Sequence, residues 1–118
     1  MATISVKGQE DIIHYSYGTS SNLIFDITEK NKNTGVETDL NFSLYEGAWR
    51  IKETDDAATN LYEASSEDSD PKLSFSGNTY TIDDIFDVDR GKYYFELVIT
   101  DSAGDTIYKP HFGTIYIE

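Results

Sequence analysis

The feature that most constrains the fold is the stretch from residue 89 to residue 100, where a short corner motif runs directly into an alternating segment. Asp89, Gly91 and Tyr93 form the pattern Asp-x-Gly-x-Tyr at its start. The next residues alternate between one face made of Tyr93, Phe95, Leu97 and Ile99 and another made of Tyr94, Glu96, Val98 and Thr100. A period of two over this length predicts a β-strand with one buried and one solvated face. The motif is therefore predicted to be a structural corner that starts a core strand.

Short segments of the same kind, separated by turn residues, fill the rest of the chain. They are predicted at residues 3–7, 12–17, 22–29, 39–53, 61–64, 73–75, 79–82, 105–108 and 113–118. Pro110 is expected to break strand pairing, and only residues 83–86 could form a helical turn. About seven to nine short strands that include such a tyrosine corner predict an all-β fold, an immunoglobulin-like antiparallel β-sandwich. Because the chain has no cysteine, it is expected to contain no disulfide.

The predicted sandwich covers residues 21–118, and residues 1–20 are predicted to form an N-terminal strand or arm. Whether this segment pairs within the domain or with a neighbouring subunit is left open by the sequence. Its core is predicted to contain Leu23, Phe25, Ile27, Leu40, Phe42, Trp49, Tyr93, Phe95, Leu97 and Ile99. Trp49 is interpreted as a core residue between the sheets. The alternative is an exposed platform for a sugar ring, supported by Tyr45 and Tyr62.

The formal net charge of −13 limits the classes of partner. The 9 basic residues are scattered among 22 acidic ones, whereas a nucleic-acid surface needs clustered lysine and arginine. The same charge disfavours anionic membranes, and no apolar run approaches the roughly 20 residues of a membrane-spanning helix. The first residues lack the pattern of a signal peptide, so we expect synthesis in a cytoplasm, no nucleic acid and no membrane.

Acidic residues crowd around the corner motif. Asp83, Asp84, Asp87 and Asp89 are the weak candidates for a metal site, because calcium takes six to eight oxygen ligands. The stretch from Asp87 lacks the later acidic positions of a calcium loop, so the expectation is that these side chains are turn residues and that no metal or other cofactor is bound.

No residues form a recognisable catalytic motif. The only histidines, His14 and His111, lie in no pattern with a nucleophile, and the chain has no Gly-x-Ser-x-Gly and no glycine-rich phosphate loop. A non-enzymatic protein is therefore expected. The aromatic N-terminal segment could instead add a strand to a neighbouring sheet, which gives affinity through main-chain hydrogen bonds. The residues predicted for such contacts are Ile12, Tyr15, Tyr17 and Tyr116.

Several turns and strand starts resemble those of one group of viral proteins. They are the strand Leu23–Ile27, the turn at Thr34-Gly35, the strand start at Thr38-Asp39-Leu40, Gly91-Lys92-Tyr93 and the closing turn Asp101-Ser102-Ala103-Gly104. Together they resemble the small immunoglobulin-like domains of tailed-bacteriophage virion proteins, either capsid-decoration and head-fibre proteins or amino-terminal domains of baseplate proteins. One departure is Leu40-Asn41-Phe42, where that group has Leu-Thr-Gly.

The resemblance implies a structural protein of the virion, made in the host cytoplasm, that decorates or adapts the capsid or tail. Its implied partners are other virion proteins, capsid or tail subunits, and possibly further copies of the chain itself. A rival function is a carbohydrate-binding or adhesion module with an aromatic face that stacks on sugar.

Overall fold

The computed structural model describes residues 9–30, 34–39, 42, 45–100 and 106–118. These residues form ten β-strands and no α-helix, as the sequence predicted for the fold class. The strands are β1 (Gln9–Tyr15), β2 (Leu23–Asp26), β3 (Thr28–Lys30), β4 (Glu37–Asp39), β5 (Glu46–Lys52), β6 (Tyr62–Ser65), β7 (Leu73–Ser76), β8 (Thr79–Ile82), β9 (Gly91–Thr100) and β10 (Thr106–Ile117). The predicted segments 3–7 and the closing turn at 101–104 lie outside the described residues, as do Leu40 and Asn41.

Two sheets face each other across one core. The larger has the order β1-β10-β9-β5-β6, and the smaller has the order β2-β8-β7. All pairings in them are antiparallel except that of β1 with β10, which is parallel. The strands β3 and β4 form a separate antiparallel pair. The sandwich architecture that the sequence predicted is therefore present.

The core combines residues from both sheets. Six of the ten residues predicted for it are fully buried, namely Ile27, Phe42, Trp49, Phe95, Leu97 and Ile99. Leu23, Phe25 and Tyr93 are partly buried and pack against these six. Trp49 lies in β5 and stacks on Phe95 and Phe86, with ring centroids 5.9 and 5.2 Å apart. The core interpretation of this tryptophan is confirmed.

Two local expectations are corrected by the strand pattern. Residues 83–86 form no helical turn, because Phe86 is drawn into the core and its backbone N–H is satisfied by the Tyr15 hydroxyl at 3.2 Å. Pro110 does not end the pairing either. The strand β10 passes through it, and the register with β9 shifts between Thr106 and Tyr108 and again between Tyr108 and His111. Such irregularity lets a residue without an N–H remain within a sheet.

The N-terminal segment belongs to the sandwich over its described part. Gln9–Tyr15 pairs along its whole length with β10, from Gln9 opposite His111 to Tyr15 opposite Ile117. Ile13 and Tyr15 are buried in the core. Of the two arrangements left open by the sequence, pairing within the domain is the one observed for these seven residues.

Candidate functional site

The β1 strand ends the larger sheet and carries the most exposed large apolar side chain of the described residues. Ile12 is 66% exposed and lies beside Thr114 of β10. Two residues further along each strand, His14 stacks on Tyr116 with ring centroids 5.1 Å apart. We call the surface formed by Glu10, Ile12, His14, Thr114 and Tyr116 the β1 edge surface. A shallow depression of about 460 Å³ lies along it, lined by Glu10, Asp11, Ile12 and Thr114.

A glycine of β10 allows β1 to approach this closely. Gly113 lies opposite Asp11, and a Cβ added to it would come within 1.9 Å of the Asp11 carbonyl oxygen. Its φ of 151° also lies in a region that residues with side chains rarely adopt. Only glycine therefore fits at this point of the parallel pairing.

Glu118 contacts the far end of the β1 edge surface. The backbone N–H of Glu118 donates to the Tyr15 carbonyl at 2.8 Å, and the N–H of Tyr17 donates to the Glu118 carbonyl at 2.9 Å. The Glu118 carboxylate also contacts His14 Nδ1. Beyond β1, the Tyr17 ring lies under the guanidinium of Arg90, 4.7 Å from its carbon.

Of the four residues predicted for partner contacts, three lie on or next to this edge. Ile12 and Tyr17 are exposed, and Tyr116 is half-buried in the stack with His14. Tyr15 is only 4% exposed, because its ring packs on Phe86 in the core and its hydroxyl bonds to the Thr19 carbonyl. Tyr15 is therefore a core residue and not part of a contact surface.

Behind β1, a histidine joins the two sheets through polar contacts. His111 of β10 is fully buried, its Nε2 lies 2.8 Å from an Asp11 carboxylate oxygen, and its Nδ1 is hydrogen-bonded to the Tyr80 hydroxyl of β8. Because a carboxylate can only accept, Nε2 carries the proton and the Tyr80 hydroxyl donates to Nδ1. The rings of Phe25 and Phe95 pack against the imidazole, 4.7 and 5.0 Å away.

This environment determines the protonation state of His111. Burial lowers the pKa of His111 from its ordinary value of 6.5, and the nearby Asp11 carboxylate opposes that change only in part. Burial likewise raises the pKa of the Tyr80 hydroxyl well above 10.0. Both side chains are thus neutral near pH 7 and act as a hydrogen-bonded connection between β1, β10 and β8.

On the outer face of the larger sheet, a buried carboxylate is surrounded by three positively charged side chains. Glu96 of β9 is 1% exposed, although the alternation had placed it on the solvated face. Its carboxylate lies 3.1 Å from Lys109 Nζ, 3.4 Å from an Arg50 nitrogen and 3.7 Å from Lys52 Nζ. Contact with Glu96 raises the pKa of Lys109 despite partial burial of that ammonium group. A buried charge is tolerable only when it is paired in this way.

The acidic residues near the corner are held by separate partners. The Ser20 hydroxyl donates to Asp83 at 3.0 Å, and the Tyr62 hydroxyl donates to Asp84 at 2.9 Å. Asp87 and Asp89 are exposed. Within the described part of the chain, no three His, Cys, Asp or Glu side chains lie close enough together to hold a metal ion.

The corner motif is held by a hydrogen bond between a side chain and the main chain. The Tyr93 hydroxyl donates to the backbone carbonyl of Asp89 at 2.9 Å, so the acceptor is the main chain and not the aspartate side chain. A Cβ at Gly91 would lie 3.3 Å from the Tyr93 ring, which is a tight contact. The small residue gives the tyrosine ring room to fold back over the corner.

The position of Trp49 bears on the sugar-binding alternative. Its indole is fully buried between the sheets and offers no face to a ligand. Tyr62, one of its proposed companions, packs on the same core through Trp49 and Phe86. Tyr45, the other proposed companion, is exposed.

The polar groups that contact β1 have no local signal in the sequence. His111 and Asp11 are 100 residues apart, and no local pattern connects them. Gly113 did carry a signal, because an isolated glycine inside a strand indicates a close approach of another backbone. Phe86 and Val88 were missed as core residues because the acidic residues around them resemble a solvated connection.

Comparison of the chain with protein-family models, with curated proteins and with solved structures found no match. No helix among the described residues has the length and apolar character needed to cross a membrane.

Proposed function

We propose that this chain is a non-enzymatic, immunoglobulin-like domain of a tailed-phage virion that decorates or adapts the capsid or tail through protein–protein contacts. The observation that carries the proposal is the exposed Ile12 at the centre of an end strand. No described strand pairs with β1 on the side away from β10. An open strand edge with an apolar side chain at its middle can receive a strand from another protein.

The strand order supports the immunoglobulin-like topology. In that fold one sheet contains strands C, F and G, extended by C′ in the variable type, and the other contains A, B, E and D. The strand β1 precedes β2 in the chain as strand A precedes B, but it pairs with β10 of the larger sheet. The order β10-β9-β5-β6 corresponds to G-F-C-C′, and β2-β8-β7 corresponds to B-E-D. The bond from Tyr93 to the Asp89 carbonyl corresponds to the tyrosine corner at the start of strand F, and Trp49 on β5 corresponds to the strand-C tryptophan. The β3–β4 pair between B and C is an addition to this plan.

The charge of the chain supports a role on a large assembly. A domain with a net charge of −13 repels free copies of itself and is drawn toward basic patches on a partner surface. The β1 edge surface combines main-chain donors and acceptors with Ile12 and Tyr116, and the exposed Tyr17 lies just beyond the end of β1. Aromatic side chains are enriched where proteins meet. Charge would steer the encounter, and the edge would make the specific contacts.

The test uses virions of a phage that encodes this chain. Mass spectrometry of gradient-purified particles should detect the chain at a fixed ratio to the capsid or tail subunits. Particles that lack the chain should then recover it from solution on co-sedimentation. Purified particles without the chain, together with wild-type protein that stays in the supernatant, would refute the proposal.

A pair of variants locates the contact. Ile12→Lys should weaken co-sedimentation by about tenfold or more. The reason is that an apolar side chain that the contact would bury is replaced by a charged one. Ile24→Lys is the matched control, since Ile24 is 58% exposed on β2 of the other sheet. Equal loss with both variants would show that the contact does not use the β1 edge surface.

A further inference from the structure

We infer that the β1 edge takes a second copy of this chain, with the two β1 strands antiparallel and related by a two-fold axis at Ile12. This inference builds on the proposed use of the edge for protein contacts and names one partner for it. The result is a continuous sheet through both molecules in which β1 of one copy is hydrogen-bonded to β1 of the other.

A two-fold axis limits the registers that are possible. In an antiparallel pair, directly opposite residues have side chains on the same face. In a symmetric pair of identical strands, one residue must therefore lie directly opposite the same residue of the second copy. The two-fold axis passes midway between these two residues. A seven-residue strand offers few such centres, and each gives a different set of opposed side chains.

Charge excludes the centres toward the start of β1. An axis at Glu10 sets Glu10 opposite Glu10, and an axis at Asp11 sets Asp11 opposite Asp11. Like charges directly opposite each other destabilise a strand pair. A two-fold axis repeats every contact, so these registers concentrate negative charge at the centre of the interface.

An axis at Ile12 instead gives compatible pairs of opposed side chains on the outer face of the sheet. Ile12 meets Ile12 of the second copy, and Glu10 meets His14 of the second copy on both sides of the axis. The exposed isoleucines cover each other, and within Gln9–Tyr15 no carboxylate is set opposite another carboxylate. An axis at Ile13 is the competing register, and it would set Ile12 opposite His14.

The net charge predicts how the pairing responds to salt. Two copies that each carry −13 repel one another, and salt screens this repulsion over a distance of about 8 Å at 0.15 M ionic strength. Main-chain hydrogen bonds and apolar contact depend far less on salt. Self-association should therefore strengthen from 0.05 to 0.5 M NaCl, the opposite of an interface held by ion pairs.

Sedimentation equilibrium of the isolated chain tests the association without any virion component. The wild type should show a monomer–dimer equilibrium, and Ile12→Lys should weaken it by roughly tenfold or more, while Ile24→Lys leaves it unchanged. Emission from the buried Trp49 checks that both variants are folded. A wild type that stays monomeric at high micromolar concentration and 0.5 M NaCl, or a dimer equally weakened by both variants, overturns the inference.

Disulfide trapping tests the register, because the natural chain has no cysteine. Opposite residues in an antiparallel pair have Cα atoms about 4.5–5.5 Å apart, within the range that a disulfide spans. Ile12→Cys should therefore cross-link to itself much faster than Ile24→Cys. A mixture of Glu10→Cys and His14→Cys should form the mixed dimer, and Glu10→Cys alone should not, since its two copies lie about 14 Å apart along the strands.

Each result has a definite meaning. Fast trapping by Ile12→Cys together with the mixed dimer of Glu10→Cys and His14→Cys supports the pairing. Preferred trapping between Ile12→Cys and His14→Cys would place the axis at Ile13 and overturn the stated register. Equal rates for Ile12→Cys and Ile24→Cys would indicate random collision and overturn the pairing. Since none of these experiments contains capsid or tail protein, their failure leaves the proposed virion role to its own test.

Discussion

A carboxylate on the outer face of a sheet is ordinarily solvated, and Glu96 is instead enclosed by the side chains that neutralise it. Arg50, Lys52 and Lys109 all reach it, which accounts for three of the nine basic residues of an acidic chain. Removing one member of a buried charge cluster leaves the others uncompensated, which costs more than losing a pair in water.

Glu96→Gln should therefore lower the free energy of unfolding by about 1–3 kcal/mol, measured by urea denaturation. Glu63→Gln is the matched control, because Glu63 pairs with the same Arg50 at 2.7 Å but has a side chain that is 44% exposed. That variant should cost at most about 0.5 kcal/mol. Equal effects would show that burial of Glu96 does not amplify its contribution.

The His111 imidazole predicts a dependence of stability on acid. Its pKa is lowered in the folded state, so the unfolded chain binds this proton more readily. The stability gained by keeping His111 neutral is complete above its ordinary pKa of 6.5 and is lost as the pH falls through the lower folded-state value. Urea midpoints should decline as the pH is lowered below 6.5.

Substitution separates this histidine from the other titrating groups. His111→Gln should be less stable at pH 7.5, because Tyr80 and Asp11 lose their shared partner, and its stability should change less between pH 6.5 and 5 than that of the wild type. His14→Gln, at the exposed histidine, should keep the wild-type profile. A His111→Gln variant with the full wild-type decline would contradict this assignment.

At the scale of elements, attachment of β1 depends on Gly113. Gly113→Ala brings a methyl group against the Asp11 carbonyl oxygen, and the two strands must separate to admit it. We expect a loss of about 1–3 kcal/mol or more in unfolding free energy, with faster amide exchange in Gln9–Tyr15. Gly77→Ala is the control, since Gly77 also has a positive φ but no atom lies within 4 Å of the added carbon.

The corner before β9 gives a second prediction at this scale. Tyr93→Phe removes the hydroxyl that donates to the Asp89 carbonyl and should cost about 1 kcal/mol in thermal or urea unfolding. Asp89→Asn should change stability little, because the acceptor is the main-chain oxygen. If Asp89→Asn proves as damaging as Tyr93→Phe, the aspartate side chain has a role in the corner beyond this bond.

Elements with a strong local signal were predictable from the sequence. The strand β9 follows from alternation, and the β7–β8 hairpin follows from Ser76-Gly77-Asn78. The strand β5 lies within the segment predicted at 39–53 but begins only at Glu46. What could not be predicted is pairing across long separations, such as that between β1 and β10, because no local pattern states which strands become neighbours. The burial of Glu96 could not be predicted either. It depends on Lys109, which lies on β10, the strand next to β9 in the sheet.

At the scale of the whole molecule, the larger sheet has two roles, one on its inner face and one at the edge formed by β1. Its inner face supplies most of the core, and Phe86 closes that core from the connection between β8 and β9. Phe86→Ala should cost about 3–5 kcal/mol and shift the emission of the single Trp49 to longer wavelength. An unchanged emission spectrum would show that the stack of Phe86 on Trp49 does not shape the indole environment.

The same sheet ends in the β1 edge surface, which we propose as the contact surface of the molecule. Amide hydrogen exchange compared between the free chain at low concentration and the chain bound to virions tests this most directly. We expect added protection within Gln9–Tyr15, with β2, β7 and β8 unchanged. Protection confined to the smaller sheet, with Gln9–Tyr15 exchanging as in the free chain, would contradict it.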